Sequence, residues 1–271
     1  MRTLTVDWRE RLNRVNNLLL KAIRDPGRAW KKLGYYWWPT VLGHTDFTPF
    51  IVLARSRTGS NLLITLLESH PHIRADGEIL HSLEGRDGAD VLAKTFCKQP
   101  IRIKARGFKV FYYHPIDDDS GGVWRTLAGM DHLRVIHLKR RNVLRTLVSR
   151  KVAGARDEWV TESGAPASFT DKAVALAARE LAEGFARTRA WEEGGDEMFS
   201  RHPLLSVHYE DLADDPNGVF REITDFLGVP YARPSTTLRR QNPERLSDLV
   251  TNYEELKGAF QGTELEEFFE D

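Results

Sequence analysis

Residues 55–61 combine cations, hydroxyl groups and a glycine in one short segment, Arg55-Ser56-Arg57-Thr58-Gly59-Ser60-Asn61. The apolar run 50–54 precedes it and a helical pattern follows, so the segment predicts a loop between a buried strand and a helix. Backbone N–H groups at a helix N-terminus attract anions, and Gly59 permits close approach of the backbone. The segment therefore predicts a phosphate-binding loop. The alternative is an ordinary helix cap by Ser60 after an arginine-rich turn.

A second cationic segment, Lys139-Arg140-Arg141-Asn142, follows another strand-like run. Three consecutive cations repel one another unless they share an anion. Asn142 is suited to cap the helix that follows. Ser149 lies eight residues after Arg141, about two helical turns, so both side chains can face the same side. The segment predicts a second anion-binding element or, alternatively, a solvated basic face of a helix.

The rest of the chain alternates short apolar runs with amphipathic stretches. This pattern indicates an α/β domain, a P-loop-like, mostly parallel sheet flanked by helices. The predicted strands are 50–54, 107–112, 133–138 and 204–208, and the predicted helices are about 60–69, 142–153, 170–193 and 216–227. Ligands of parallel sheets bind at the carboxyl ends of the strands, so both cationic segments fall where a binding site is expected.

The combination of these motifs resembles the PAPS-dependent sulfotransferases, where PAPS is 3′-phosphoadenosine-5′-phosphosulfate. Arg57-Thr58-Gly59-Ser60 is similar to the family's loop for the 5′-phosphosulfate, and Arg141 with Ser149 is similar to its 3′-phosphate motif. Tyr209-Glu210-Asp211-Leu212 matches a third recurrent segment, whose tyrosine lies near the adenine. The resemblance covers about residues 48–262 and is similar in particular to the bacterial branch with nodulation-factor and trehalose 2-sulfotransferases.

The resemblance implies a sulfotransferase fold and transfer of the sulfuryl group of PAPS to an acceptor hydroxyl, which releases adenosine 3′,5′-bisphosphate (PAP). Arg57 stands where the family usually has a lysine, and its guanidinium would stabilise the charge on the bridging oxygen without donating a proton. Lys109 would reach the sulfuryl group or support the base, unless strand alternation points it to solvent. No metal is expected. The residues implied to bind PAPS are Arg55, Arg57, Thr58, Gly59, Ser60, Asn61, Arg141, Ser149, Tyr209 and Arg240.

The acceptor hydroxyl needs a general base, and Glu78 is the first candidate. It lies beyond the first predicted helix, where the bacterial branch places a glutamate. A carboxylate beside a cationic pocket stays ionised and can accept a proton. His81 and His114 are the alternative bases, and Glu78 would otherwise be a surface acid or the partner of an arginine in the pocket.

The composition is that of an ordinary globular protein, with 41% hydrophobic residues, 29% charged residues and a net charge of zero. Balanced charge argues against a chain that coats nucleic acid, so no nucleic-acid partner is expected. The single cysteine, Cys97, excludes an internal disulfide and a multi-cysteine zinc site. The chain shows neither an apolar run of about 18 residues nor a signal peptide, so a cytoplasmic location is predicted.

The first 45 residues lie outside the resemblance. They predict an N-terminal segment, 1–45, ahead of a sulfotransferase domain, 46–271. Helical spacing of apolar residues predicts an amphipathic helix over 7–24, and a cluster of aromatic residues follows it. The segment would dock on the domain, or else contact a membrane surface or a lipid substrate through residues 7–38.

The acceptor is expected to be a hydroxylated small molecule, and the resemblance alone favours a carbohydrate or glycolipid. Its site is expected within 79–100, 112–125 and 153–170, with aromatic side chains from Tyr112, Tyr113, Trp124 and Trp159. The predicted helix 170–193 could pack against a second copy of the chain in a homodimer, but nothing in that helix indicates one.

Two other functions remain at this point. A nucleotide-dependent kinase on the same core would need ATP and Mg²⁺, but the loop lacks the second glycine and the lysine of the G-x-x-x-x-G-K-[ST] motif. A non-catalytic protein that binds an anion or a membrane surface through its basic N-terminus would show no turnover with PAPS.

Overall fold

The computed structural model describes residues 43–156, 173–238 and 244–269. Within these residues, five parallel strands form a sheet in the order β2-β3-β1-β4-β5. The strands are β1 Thr48–Ala54, β2 Ile73–Asp76, β3 Ala105–Phe111, β4 Arg134–Lys139 and β5 Leu204–His208. The predicted α/β class with a mostly parallel central sheet is confirmed.

Helices flank the sheet and connect its strands. They are α1 Ser60–Glu68, α2 Gly88–Thr95, α3 Gly122–Ala128, α4 Val143–Arg156, α5 Ala178–Met198, α6 Tyr209–Asp214, α7 Pro216–Leu227, α8 Leu246–Leu249 and α9 Tyr253–Ala259, followed by a 3-10 turn, Glu266–Phe269. Helix α7 has the predicted bounds, because a capping residue and a proline define its start. Asp215 accepts a hydrogen bond from the backbone N–H of Gly218 at 2.9 Å, and Pro216 occupies the first turn.

Side chains of the central strand β1 pack into the core on both faces of the sheet. Its side chains Phe50–Ala54 are all almost completely buried, because helices cover the sheet on both sides. Helices α1 and α7 pack on one face, and α2, α3 and the end of α5 pack on the other. A further apolar cluster joins α4, the first half of α5, α8 and α9. Helix α5 therefore packs in two clusters and connects them.

The short helices α2, α3, α6, α8 and α9 were not predicted, and strand β2 and helix α5 also differ from the prediction. Strand β2 was not predicted, because Ile73-Arg74-Ala75-Asp76 alternates apolar and polar residues and pairs only with β3 at the edge of the sheet. Helix α5 runs Ala178–Met198 rather than 170–193. Val174 pairs with Val250 in a short bridge instead of joining the helix, and Phe199 is fully buried where the helix ends.

The contacts divide the chain into two units. One comprises Asp46–Phe96 with Arg102–Asp271, and the other comprises Met1–Thr45 with Cys97–Ile101. In the second unit, the backbones of His44 and Gln99 exchange two hydrogen bonds at 2.9 and 2.8 Å. No helix of the described ranges is both long enough and apolar enough to cross a membrane. The predicted helix 7–24 and the contact surface 7–38 lie outside these ranges.

Candidate active site

The loop after β1 folds tightly around its own backbone. The Thr58 hydroxyl donates to the carbonyl of Arg55 at 2.7 Å, and both residues are buried. Arg57 and Gly59 adopt left-handed conformations, with φ of 70° and 83°. A Cβ on Gly59 would lie 2.3 Å from Cδ2 of Tyr209. Both the backbone angle and this close approach therefore require glycine at position 59.

Arg57 links the two cationic segments of the sequence. A positive φ is uncommon outside glycine and persists where the surroundings hold it in place. Here the Nε of Arg57 donates to the hydroxyl of Ser149 on α4 at 2.9 Å. Burial lowers the pKa of the Arg57 guanidinium. The loop after β1 and the helix after β4 therefore face each other across one site.

The two arginines after β4 occupy different positions. Arg140 donates to the carbonyl of Arg57 at 3.1 Å, and its guanidinium lies 4.6 Å from the ring centre of Tyr209. Arg141 is exposed and donates to both carboxylate oxygens of Asp211, at 2.6 and 2.7 Å. Arg140 thus lies against the loop, whereas Arg141 is paired at the surface.

A cavity of about 610 Å³ lies between the β1 loop, α4 and α6, within the size range of small-molecule sites. Polar side chains that line it include Arg57, Ser60, Asn61, Arg140, Arg145, Ser149 and Tyr209. Of the predicted PAPS ligands in the described ranges, Arg55, Thr58 and Arg141 lie outside this lining, and Arg240 falls outside the ranges. The sequence analysis did not predict Arg145 as a site residue. It precedes Ser149 by one helical turn and therefore lies on the same face of α4.

Lys109 lies inside β3, and its side chain is almost completely buried. Its ammonium group is 2.9 Å from Oε1 of Glu78 and donates to the side-chain carbonyl of Asn61. The solvent-facing alternative is wrong, because β3 is an inner strand and Lys109 projects toward α1, which covers that face. Lys109 connects Glu78 to the wall of the cavity at Asn61.

Glu78 lies in the turn after β2, close to both histidines that were its alternatives. Its Oε2 is 3.7 Å from Nδ1 of His81 and 3.7 Å from Nε2 of His114, and these two nitrogens are 3.2 Å apart. We call Glu78, Lys109, His81 and His114 the base cluster. The structure brings all three candidate bases together.

The hydrogen bonds of His114 fix where its proton lies. The backbone N–H of Phe111 donates to Nδ1, so Nε2 carries the proton of the neutral ring. Burial lowers the pKa of His114 to about 4, and the ring is therefore neutral at pH 7. A neutral ring with its proton on Nε2 donates toward Glu78 and His81. Glu78 is left as the group of this cluster best placed to accept a proton.

Glu78, His81 and His114 also form a set of potential metal ligands, with ligand atoms within 4.8 Å of one another. Two interactions compete with an ion at this position. The ammonium group of Lys109 already contacts Glu78, and the Phe111 N–H directs the proton of His114 into the set. Metal-bound histidines normally donate from their second nitrogen rather than accept there. The geometry thus suits a hydrogen-bonded acid–base cluster better than a metal centre.

Aromatic residues predicted on the acceptor side surround the base cluster. The ring of Tyr113 lies 5.2 Å from the ring of His114, and the indole N–H of Trp124 donates to the carbonyl of His114 at 2.8 Å. Tyr112 stacks on Trp191 of α5 at 5.9 Å. Trp159 lies outside the described ranges.

A second polar network lies under α5 and was missed in the sequence. His137 is completely buried in β4, with Nδ1 2.7 Å from Oδ1 of Asp196 and Nε2 2.6 Å from the hydroxyl of Tyr112. Lys139 donates to the other oxygen of Asp196 at 2.7 Å. Burial is the main cause that lowers the pKa of His137 to about 4 and raises the pKa of Tyr112. The network fixes α5 to the carboxyl ends of β3 and β4.

The comparisons with known proteins agree with these motifs. Residues 127–233 match the sequence profile described as the sulfotransferase family. Nodulation protein H of Rhizobium tropici is 29% identical over 240 residues, which cover 82% of this chain and 93% of that protein. Nodulation protein H of Rhizobium meliloti (strain 1021) is 26% identical over 247 residues, which cover 82% of this chain and 95% of that protein.

A solved sulfotransferase from Alicyclobacillus acidocaldarius superposes with a TM-score of 0.48 at 19% identity, covering 78% of this chain and 90% of that one. The similarity to sulfotransferases rests on the profile and on the curated relatives, which match over nearly their whole length. Residues 127–233 match the sulfotransferase family, and the chain is similar over 82% of its length to nodulation protein H.

Proposed function

We propose that the enzyme transfers the sulfuryl group of PAPS to an acceptor hydroxyl and releases PAP. The observation that carries this proposal is the hydrogen bond from Arg57 to Ser149, 2.9 Å long, which joins the two motifs that resemble the ends of the PAPS site. The cavity beside this contact has the volume of a small-molecule site and several cations in its wall.

The donor would lie across the β1 loop. Arg57, Ser60 and the backbone N–H groups at the start of α1 would hold the 5′-phosphosulfate, because anions bind favourably at a helix N-terminus. Ser149 would hold the 3′-phosphate, together with Arg145 from the adjacent turn. Tyr209, already stacked against Arg140, would contact the adenine.

Arg141 would join the donor site only after a local change. Its motif resembles the 3′-phosphate motif, but its guanidinium is paired with Asp211 at 2.6 and 2.7 Å. Both partners are largely exposed, and an exposed ion pair contributes little stability. A bound 3′-phosphate would therefore compete readily for Arg141.

The chemistry is an in-line displacement at sulfur. The acceptor oxygen forms the new S–O bond, the bond from sulfur to the bridging oxygen breaks, and its electron pair stays on the 5′-phosphate of PAP. Arg57 stabilises the charge that develops there, which lowers the barrier more than it strengthens ground-state binding. Glu78 accepts the proton of the acceptor hydroxyl, while Lys109 orients Glu78 at 2.9 Å.

The acceptor is proposed to be a carbohydrate or glycolipid. The family resemblance supports this class, and the aromatic rings of Tyr113 and Trp124 beside the base cluster suit a sugar face. The reacting hydroxyl would then lie next to Glu78.

Mass spectrometry of glycan and glycolipid panels incubated with enzyme and PAPS tests the proposal. The expected result is a mass gain of one sulfuryl group on an acceptor, with release of PAP, and no phosphoryl transfer when ATP and Mg²⁺ replace PAPS. A protein that fails to bind PAP in equilibrium titration, or that phosphorylates these acceptors from ATP, would contradict it.

A further inference from the structure

Arg55 belongs to a region outside the lining of the nucleotide cavity. Its side chain is only 4% exposed, its guanidinium donates to the hydroxyl of Thr188, and it lies 5.5 Å from the ring centre of Trp191. Its Nε is buried and has no hydrogen-bond partner among the residues that the structure describes. A buried guanidinium with an unsatisfied N–H is costly unless a ligand completes it.

Aromatic rings connect Arg55 to the base cluster. Trp191 lies 5.5 Å from Tyr113, and Tyr113 lies 5.2 Å from His114. The guanidinium of Arg150, from α4, lies 5.6 Å from the ring centre of Tyr113. The rings form a continuous wall that starts beside Glu78. Arg55 lies against Trp191 of this wall, and Arg150 lies against Tyr113. We call this the acceptor wall.

A third arginine reaches the same region from α5. Arg187 precedes Trp191 by one helical turn, so both residues lie on the same side of α5. Burial first, and then the positive charges of Arg150 and Arg187, lower the pKa of Arg55 to about 10. The three guanidinium groups are therefore close enough for their charges to interact.

Within the part of the chain that the structure describes, neighbouring cations on the same helices have acidic partners, and Arg150 and Arg187 do not. Lys151 is paired with Glu180 at 3.0 Å, and Arg189 with Glu264 at 2.5 Å. Within the described ranges, Arg150 and Arg187 form no salt bridge. Three like charges repel one another, so a bound anion would stabilise the cluster.

Glu192 is an acid whose negative charge acts on Arg55. Burial, the largest cause, raises its pKa to about 7, against the opposing positive charges of Lys139, Arg55 and Arg189. At neutral pH the carboxyl group is therefore about half protonated. Glu192 neutralises the cluster only in part.

We propose that Arg55, Arg150 and Arg187 bind a carboxylate of the acceptor, so that the enzyme sulfates a hydroxyl group on an acidic sugar. The inference rests on the proposed function and specifies its acceptor. Guanidinium groups suit this task because they bind a carboxylate through two parallel hydrogen bonds. The aromatic wall would contact the sugar ring while the reacting hydroxyl lies at Glu78.

Two probes that differ in one group test the proposal, 4-nitrophenyl β-D-glucuronide and 4-nitrophenyl β-D-glucoside. Each is titrated by calorimetry into the enzyme saturated with PAP, so that binding is measured whether or not turnover occurs. We expect the wild type to bind the glucuronide at least tenfold more tightly. Because two of the three arginines are exposed, raising the ionic strength should reduce this preference.

Matched double variants identify the residues responsible. Arg150→Gln with Arg187→Gln should remove the preference for the glucuronide, leave binding of the glucoside within twofold and leave the affinity for PAP unchanged. The control, Lys151→Gln with Arg189→Gln, makes the same charge change on the same two helices and should retain the preference.

The outcomes separate this inference from the proposed function. Equal binding of the two probes, binding of neither, or equal loss in the control would overturn the acidic acceptor while PAP still binds. Failure of the wild type to bind PAP would instead count against the proposed function itself.

Discussion

The proposed nucleotide side and the proposed acceptor side of the site are built in different ways. On the nucleotide side, Arg57 and Ser149 each lie in a short motif directly after a strand, and one hydrogen bond of 2.9 Å joins them. On the acceptor side, Glu78, Lys109 and His114 come from three separate segments, and the acceptor wall adds residues of α4 and α5. The nucleotide side depends on local motifs, and the acceptor side depends on the topology of the whole sheet.

The difference also shows in how charge is balanced. Arg141, at the edge of the nucleotide side, has a carboxylate partner in Asp211. Arg150 and Arg187, on the acceptor side, have none within the described ranges. The following predictions test whether the two sides separate in function as they do in structure.

The largest effect is expected from Arg57→Ala, on the nucleotide side. The variant loses the charge at the bridging oxygen and the contact to Ser149, so kcat should fall about 10²-fold or more, by analogy with a lost oxyanion donor. Steady-state kinetics with PAPS provide the measurement. Arg201→Ala, an exposed arginine, is the control, and near-normal turnover of Arg57→Ala would remove Arg57 from the chemistry.

Glu78→Gln is the matching change on the acceptor side. It keeps the shape of the side chain but removes the proton acceptor, so kcat should fall about 10²-fold. The affinity for PAP should stay within twofold in equilibrium titration, because Glu78 does not line the nucleotide cavity. His81→Gln should cost far less in kcat. If His81→Gln lost as much activity as Glu78→Gln, the assignment of Glu78 alone as the general base would be wrong.

Gly59→Ala should weaken PAP binding by about tenfold or more, since its Cβ would lie 2.3 Å from the ring of Tyr209 at a φ of 83°. Gly85→Ala is a matched control, because Gly85 has a φ of 76° but nothing within 4 Å of an added Cβ. Both variants carry backbone strain, and only Gly59→Ala displaces Tyr209. Equal effects of the two on the affinity for PAP would show that strain alone, and not the contact with Tyr209, matters.

The sequence motifs predicted more of the cavity lining than of the base cluster and the acceptor wall. Motif spacing led to Arg57, Gly59 and Ser149 because each is fixed by the residues next to it in the chain. Helical spacing from Ser149 could also have found Arg145. The orientation of Lys109 depended on which strands lie beside β3, and alternation within the strand did not decide it.

The network of His137, Tyr112 and Asp196 had no local signal at all. These residues lie on β4, after β3 and on α5, and they meet only because α5 packs across the sheet. The short edge strand β2 was missed for a related reason, since two buried residues in four do not form an apolar run. Long-range packing therefore accounts for most of what the sequence did not reveal.

The smallest effect concerns stability and involves one histidine from each buried cluster. Burial lowers the pKa values of His114 and His137 from 6.5 to about 4. Between these values the unfolded state binds more protons than the folded state, so the free energy of unfolding falls as the pH falls. At pH 5 the loss is about 2 kcal/mol for each histidine. Burial raises the pKa of Glu192 to about 7, so protonation of this carboxyl group adds about 2 kcal/mol of stability over the same range. The net loss of about 2 kcal/mol should lower Tm by a few degrees.

Calorimetric scans at pH 7 and pH 5 provide the measurement. His137→Gln should remove most of the difference in Tm between the two pH values, because the loss from His114 and the gain from Glu192 then nearly cancel. His132→Asn, at an exposed position with a φ of 61°, should leave that difference unchanged. A Tm that is constant or rises at pH 5 would show that these histidines are not held neutral.

The central claim is that the β1 loop and α4 together bind the 5′- and 3′-phosphates of one adenosine nucleotide. Titration calorimetry with PAP and with adenosine 5′-monophosphate, on the wild type and on Arg145→Gln with Ser149→Ala, measures this most directly. The wild type should bind PAP at least tenfold more tightly than the monophosphate, and the double variant should lose most of this preference. Equal affinities in the wild type would contradict a shared site for the two phosphates.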